Sequence, residues 1–341
     1  MILKIQSKSA ITRTRGGLRA FLKGLPVRLS LNPYIGCSHC CIYCYNKFLV
    51  RFRKEYKTIE DVCNVIIVKE NLPEILKKEI KKVGKSVLWI GSISDPYQPI
   101  ERKYEITRKC LKVLINEHFP FSIYTKSYLV IRDLDLIKES FSEVIFTITS
   151  LDKEFKKIFE PRSPSYDKVL EALEEVSKVT DTRVAILPII PSFNDDIEML
   201  KELIKEVKCR GAKNVFVGFL RLTPLVIKNM KEKLEEKFEE IWKHYGEKFA
   251  GALIPTKEYR KRILKELFEF SKKINIGFYV EDPLFFYNKK ETKVDSFYYA
   301  TYQDFLFYCK KFRDIIRAYK EVKKKFLVDI SIHDISQVLE K

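Results

Sequence analysis

Gly36-Cys37-Ser38-His39-Cys40-Cys41-Ile42-Tyr43-Cys44-Tyr45 holds four of the chain's eight cysteines and one of its four histidines in ten residues. Thiols this crowded serve a disulfide, a redox pair, zinc or an iron–sulfur cluster, and the choice governs how the rest of the chain is read. Two spacings overlap: Cys37, Cys41 and Cys44 form CxxxCxxC, while Cys37/Cys40 and Cys41/Cys44 form two abutting CxxC pairs. Zinc takes four soft ligands, but adjacent Cys40 and Cys41 would then have to turn both thiolates to one ion, and zinc sites usually part their two pairs by a longer loop. A redox CxxC normally opens a helix after a strand and carries no extra cysteines. CxxxCxxC suits a 4Fe–4S cluster in which three thiolates hold three irons and the fourth iron is left to a small-molecule ligand. An ordinary electron-transfer cluster takes four cysteines instead. Cys40 is left without a role, a spare thiol or a point of local strain. Cys63, Cys110, Cys209 and Cys309 stand far apart and read as small buried hydrophobes.

The chain has 341 residues, 46% of them hydrophobic, enough for one large α/β domain with appendages or for two domains. No apolar run reaches transmembrane length, and the start, Met1-Ile2-Leu3-Lys4-Ile5-Gln6, lacks the features of a signal peptide. A cytoplasmic protein is expected, which argues against structural disulfides. The net charge is +18 and unevenly placed. No acidic residue precedes Glu55, and a second basic run gathers Lys310, Lys311, Arg313, Arg317, Lys320, Lys323, Lys324 and Lys325. Such asymmetry suits a polyanionic partner, a nucleic acid or a phosphorylated substrate. The competing explanation is a solvated Lys- and Glu-rich surface of a heat-adapted protein, in keeping with only four glutamines.

From about residue 27 strand-like and helix-like pieces alternate. Strands are expected at Val27–Leu31, Val65–Val68, Val87–Gly91, Phe121–Tyr124, Val144–Ile148, Arg183–Ile190 and Asn214–Leu220. Helices are expected from Asn71-Leu72-Pro73, with Leu72, Ile75, Leu76 and Ile80 on the apolar face and Asn71 as cap, then through Ile106–Leu114, from about Asp133, over Ser165–Val179 and over Asp195–Val207. A succession of βα units implies a parallel sheet, and the loops after its strands build the site. Charged helices follow at about Val226–Tyr245 and Lys257–Lys273, then a strand at Ile276–Val280 and an aromatic, basic tail from Ser296.

The cysteine loop, with an aromatic before its last cysteine, resembles the radical S-adenosylmethionine (SAM) superfamily. The landmarks Asn32-Pro33-Tyr34-Ile35-Gly36-Cys37-Ser38-His39, Ser94-Asp95-Pro96-Tyr97-Gln98-Pro99-Ile100-Glu101, Thr125-Lys126-Ser127, Glu160-Pro161-Arg162-Ser163 and Pro188-Ile189-Ile190-Pro191 resemble its spore photoproduct lyase-related subgroup. The resemblance implies a partial (β/α)6 barrel over residues 27–225, preceded by a basic arm, residues 1–26, and followed by a helical and strand extension, residues 226–341. It implies Cys37, Cys41 and Cys44 as iron ligands and SAM as ligand of the open iron, with one-electron cleavage giving a 5′-deoxyadenosyl radical that abstracts hydrogen from a substrate. Tyr43 would lie near the adenine, and Tyr43 and Tyr45 would relay a hydrogen atom. Ser92, Ser94 and Asp95 would meet the SAM amino group, Thr125, Lys126 and Ser127 the ribose or carboxylate, Arg162 the carboxylate, and Ile190 the adenine. His39 reads as a hydrogen-bonding loop residue, and Asn194-Asp195-Asp196 as the next helix's cap.

Two departures from the subgroup stand out. Ser92 occupies the place of the cysteine that quenches the product radical in spore photoproduct lyase, and a serine O–H bond is too strong to donate in its stead. Cys40 stands where glycine is usual. The expected activity is therefore SAM cleavage with hydrogen abstraction from a nucleic acid, the alternatives being a peptide or small metabolite as substrate, or a non-enzymatic electron-transfer protein. An electron donor such as flavodoxin or ferredoxin is implied as partner.

Overall fold

The computed structural model describes residues 1–13, 29–84, 86–249, 251–280, 302–328 and 330–340. Arg15, Arg19 and Lys23 of the basic arm, and Glu281-Asp282-Pro283 with the first residues of the aromatic tail, lie outside them.

Thirteen strands are described: β1 (Ile2–Ile5), β2 (Ile11–Arg13), β3 (Leu29–Leu31), β4 (Tyr34–Ile35), β5 (Ile66–Lys69), β6 (Leu88–Ile90), β7 (Phe121–Thr125), β8 (Ser142–Thr147), β9 (Asp181–Ile189), β10 (Asn214–Phe219), β11 (Tyr245–Phe249), β12 (Ala252–Pro255) and β13 (Gly277–Val280). The main sheet runs β13-β10-β9-β8-β7-β6-β3-β2. It is parallel throughout except for β2, which pairs antiparallel with β3. The six parallel strands expected between residues 27 and 225 are β3, β6, β7, β8, β9 and β10. β13 adds a seventh from beyond that span, and no pairing among the described residues closes the sheet on itself.

Helices cover one face of this sheet. Leu72–Ile80 buries Leu72, Leu76 and Ile80, Ile106–Asn116 buries Ile106, Cys110 and Leu114, and Ile197–Cys209 buries Leu200, Leu203, Ile204 and Val207. These are the one-turn spacings of an amphipathic helix. They pack on alternate strand residues, among them Leu88, Ile90, Phe121, Ile123, Val144, Phe146, Val184 and Ile186. The intervening residues face away from the helices. Trp89 and Tyr124 pack 5.2 Å apart there, Phe216 and Tyr279 4.8 Å apart, and Arg183 pairs with Glu143 at 2.7 Å.

Three expectations change. The segment at Val65–Val68 does form a strand, β5, but in a separate three-stranded sheet between β1 and β4. Asn71 does not cap the helix it precedes. Its side chain instead accepts from Ser7 N at 2.7 Å and donates to Ser7 O at 3.2 Å, fastening the N-terminal strands. The charged stretch after Val226 breaks at Glu235, whose φ is 50°, into Pro224–Leu234 and Phe238–Trp242. The helix at Lys257–Lys273 has the expected bounds. At the C-terminus Tyr302–Phe312, Ile315–Lys325 and Ile332–Glu340 close on their own small core of Phe305, Tyr308, Cys309, Ala318, Val322, Ile330 and Ile335. Leu306 docks this unit against Val87, with Trp89 and Phe141 alongside. No helix among the described residues is long and apolar enough to cross a membrane.

Candidate functional site

The cysteine loop lies between β4 and a 3-10 helix, Tyr45–Arg51, and loop and helix are together fastened from several directions. Cys37 N donates to Val62 O at 2.9 Å and Ile42 N to Phe159 O at 3.0 Å. Asn229 Nδ2 reaches Ile42 O at 2.6 Å, and Asn46 Nδ2 reaches Ile93 O at 3.4 Å. Gly36 starts the loop at φ +83°, and a Cβ there would stand 2.8–2.9 Å from Tyr56 Oη, Val65 O and Val62 O. Only glycine satisfies both the left-handed backbone and this close approach. Cys41, Ile42 and Tyr43 bury their side chains against Phe159, Ile190, Leu220, Leu222, Val226 and Met230.

The segment Ser94-Asp95-Pro96-Tyr97-Gln98-Pro99-Ile100-Glu101 is the loop's scaffold. Ser94 Oγ donates to Gly36 O. Gln98, wholly buried, accepts from Ser38 N at 3.0 Å and donates to Gly36 O at 3.2 Å. Asp95 Oδ1 accepts from Thr125 Oγ1 at 2.8 Å and Tyr97 N at 2.9 Å, and its Oδ2 accepts from Lys126 N at 2.7 Å, which joins the ends of β6 and β7. Tyr97 donates to Asp133 Oδ2 at 3.0 Å. Glu101 accepts from Arg132 Nη2 at 2.7 Å, from Thr107 N at 3.0 Å and from the Tyr34 hydroxyl. Ser94, Asp95 and Thr125 therefore spend their side chains on one another and on the loop. Ser127 Oγ accepts from Leu129 N at 3.2 Å, at the start of the next helical turn.

Beside Cys41 sits a buried polar hub that the sequence reading passed over. Glu160, 1% exposed, accepts at Oε1 from Lys126 Nζ at 2.8 Å, from Thr149 Oγ1 at 2.5 Å and from the Tyr43 hydroxyl. Burial works to raise its carboxyl, but the Lys126 charge and these donors outweigh that and hold it below the usual carboxylate range. Lys126 is raised in turn: burial works against its charge, and Glu160 prevails. Its Nζ also lies 5.8 Å over the Tyr43 ring. The motif Glu160-Pro161-Arg162 was visible in sequence, but nothing in it separated the buried acid from the exposed arginine. Arg162 lies at the surface with Nη1 on Asn64 Oδ1 at 2.7 Å, at the end of the short helix that receives the Cys37 N–H. Ile190 is fully buried and donates its N–H to Asn194 Oδ1 at 2.6 Å, so Asn194 pins the turn after β9 while Asp196 caps the next helix through Met199 N at 2.9 Å. Tyr45 is half-exposed and donates to Ser92 O, while Ser92 Oγ accepts from Asn32 Nδ2 at 3.1 Å.

Cys37, Cys41 and Cys44 are free thiols. Burial pushes Cys37 up to about 12, with Asp95 and Cys44 adding to it, and raises Cys41 and Cys44 as well. His39 is 1% exposed and neither ring nitrogen has a hydrogen-bond partner; Asp95 Oδ2 stands 3.9 Å from Nε2. This corrects the expectation that His39 is a satisfied loop residue. Among the described residues no three His, Cys, Asp or Glu side chains converge as on one metal ion. The donor set of three thiols from one loop, with the orphaned His39 nitrogens and Ser38 Oγ beside it, fits a 4Fe–4S cluster with a further ligand in contact with it.

One cysteine finding overturns the sequence reading. Cys63 does not stand alone: it is disulfide-bonded to Cys40 across 23 residues, with a Cα–Cα distance of 5.1 Å. The spacing hid the pair because the short helix Asp61–Asn64 folds back onto the loop. Cys40 itself sits at φ 56°, a left-handed backbone that glycine adopts more readily than a residue with a Cβ.

Comparison with known proteins yields a family model described as the radical SAM superfamily, matched over residues 31–204. An uncharacterized protein of Methanocaldococcus jannaschii is 34% identical over 81% of this chain and 95% of its own length. Among solved structures, a spore photoproduct lyase mutant with bound AdoMet and dinucleoside spore photoproduct superposes with a TM-score of 0.59 at 19% identity, covering 74% of this chain and 76% of that one. Streptococcus suis SuiB bound to precursor peptide SuiA superposes at 0.50 and 14% identity, over 77% of this chain and 51% of that one.

Proposed function

This chain belongs to the radical SAM superfamily, and we propose that it binds a 4Fe–4S cluster through Cys37, Cys41 and Cys44 and SAM against the Lys126–Glu160–Tyr43 hub. When bound, a reduced cluster would pass one electron to SAM, whose cleavage would leave methionine and a 5′-deoxyadenosyl radical able to take hydrogen from a substrate. The chain's own residues hold and orient. Lys126 is a half-buried cation suited to a carboxylate, and Glu160 fixes it in place. Asp95, Thr125 and Ser94 lock the strand ends, leaving backbone carbonyls to meet an ammonium group. Ile190 and Tyr43 supply an apolar wall for the adenine. The observation that carries the reading is three free thiols on one fastened loop, adjoining the Lys126–Glu160 pair.

For substrate we favour a nucleic acid in a cytoplasmic setting. The net charge of +18 and the basic C-terminal helices support it, as does the dinucleoside lesion bound by the similarly folded lyase. Reversal of that lesion by a thiol donor at position 92 is not proposed, since Ser92 stands there. We assign the passing of a hydrogen atom to Tyr45, whose hydroxyl reaches Ser92 O, and this contact supports the assignment.

Anaerobic reconstitution with iron and sulfide, followed by dithionite and SAM, tests the central reading. Formation of 5′-deoxyadenosine well above a Cys41→Ala control is expected; equal amounts would overturn it. Affinity for DNA or RNA should fall steeply with salt. Salt-insensitive or absent binding would move the substrate to a peptide or small metabolite, as SuiB's bound precursor peptide illustrates for the same fold.

A further inference from the structure

The cross-link between Cys40 and Cys63 lies inside the ligand loop yet takes no part in the cluster described above. Cys40 is the immediate neighbour of ligand Cys41, and Cys63 belongs to the helix whose Val62 carbonyl receives the Cys37 N–H at 2.9 Å. The covalent bond and this hydrogen bond tie the same two segments within a few ångströms of two ligands. The two sulfurs are not equivalent. Cys40 is half-buried, whereas Cys63 is 4% exposed, and Lys47 Nζ, itself 2% exposed, donates to Cys63 Sγ at 3.1 Å. That sulfur is the one described hydrogen-bond partner of the Lys47 side chain. A cation set on one sulfur of a disulfide favours departure of that sulfur as thiolate, so an incoming thiol meets its easier target at the accessible Cys40.

We propose that Cys40 and Cys63 form a reversible redox site whose closed state holds the ligand loop on the Asp61–Asn64 helix and slows loss of the cluster. This rests on the cluster reading above. Reduction by a cellular dithiol or by glutathione begins with attack of its thiolate on Cys40 Sγ. Cys63 leaves as thiolate beside Lys47, a mixed disulfide remains on Cys40, and a second thiol frees it. Two protons and two electrons enter the chain, and the reductant leaves as its disulfide. The reverse passes the same electrons to oxidised glutathione. In the open state Cys37 N→Val62 O remains as the tie between the loop and that helix, and the loop moves more freely around its iron.

The test is run anaerobically on the reconstituted full chain, poised in glutathione buffers of graded ratio. Acid quenching, alkylation and peptide mass spectrometry report the fraction of Cys40 linked to Cys63, with buried Cys110 as the reference thiol. In the same samples a ferrous chelator reports the rate of iron release. The expected result is one two-electron transition of the 40–63 link, with iron release about tenfold slower in the closed state. Cys63→Ser and Cys40→Ser should each lock release at the fast rate at every poise. Because the wild-type series is itself a comparison of two states, misfolding of either variant does not remove the test. No link at any poise, or wild-type release indifferent to poise, would overturn the proposal. A chain that takes up no iron fails before the challenge begins and overturns the cluster reading along with this one. Normal iron content with flat release overturns this one alone.

Discussion

At the scale of single residues, Glu160 is the acid on which the hub depends. Glu160→Gln removes the charge facing Lys126 and leaves a half-buried ammonium unpaired, so a loss of about 3 kcal/mol is expected in denaturant melts of the apo chain. Adding Lys126→Met should restore most of that stability while SAM binding, read by calorimetry, stays lost. Tyr43 and Tyr45 separate by environment. Tyr43→Phe withdraws one donor from a buried carboxylate and should cost about 1 kcal/mol, whereas Tyr45→Phe, at a half-exposed site, should cost under about 0.5 kcal/mol. For the proposed hydrogen relay the order reverses: Tyr45→Phe should keep 5′-deoxyadenosine formation and lose final product, and unchanged product would remove Tyr45 from the relay. The cysteines proposed as ligands stand out in sequence because their spacing is itself chemistry. Glu160 does not, since an acid in a helix-ending loop looks the same whether it faces water or a half-buried lysine.

At the scale of elements, the ligand loop is a rigid cradle made by its neighbours. Gly36→Ala would force a Cβ onto three oxygens at a left-handed φ, so a loss of about 2–4 kcal/mol and a matching fall in iron content are expected. The thiols raised by burial give loading a pH dependence. In the unloaded chain Cys37, Cys41 and Cys44 keep their protons to higher pH than free cysteine, so the apo fold loses stability as pH rises above the ordinary thiol value of 9.0, at Cys37 until about 12. Iron must displace those protons, so uptake strengthens with pH, by up to roughly tenfold per thiol per pH unit. Anaerobic titrations at pH 6.5 and 8.5, with released acid measured, check this; equal affinity at both would show that the ligands are already thiolates. The strands of the parallel sheet could be read from alternating βα segments because each announces itself by a short apolar run. β5 could not be assigned to its separate sheet that way, since its partners β1 and β4 are chosen by tertiary packing rather than by anything in Ile66–Lys69.

At the scale of the whole molecule, the C-terminal helices form a basic unit docked through Leu306, far in sequence from the ligand loop. If they carry the nucleic acid, replacing exposed Lys310, Lys311, Lys320 and Lys323 together by Gln should weaken binding to all sequences alike and flatten the dependence of log K on log salt by as much as about 3. An unchanged slope would leave those charges to solubility. The long reach of the ligand loop's fastenings bears on biosynthesis. All three ligands have left the ribosome once Cys44 has, but the Phe159 carbonyl that receives Ile42 N follows much later, and Asn229, which grips Ile42 O, lies 187 residues beyond it. A nascent chain therefore displays a full set of thiols, held by Val62, Ser94 and Gln98, well before these later fastenings exist, and is open to stray metals and mispairing. Correct assembly has to wait until Asn229 has emerged, and the machinery that delivers iron would have to recognise the loop once gripped and pass over the one still ungripped.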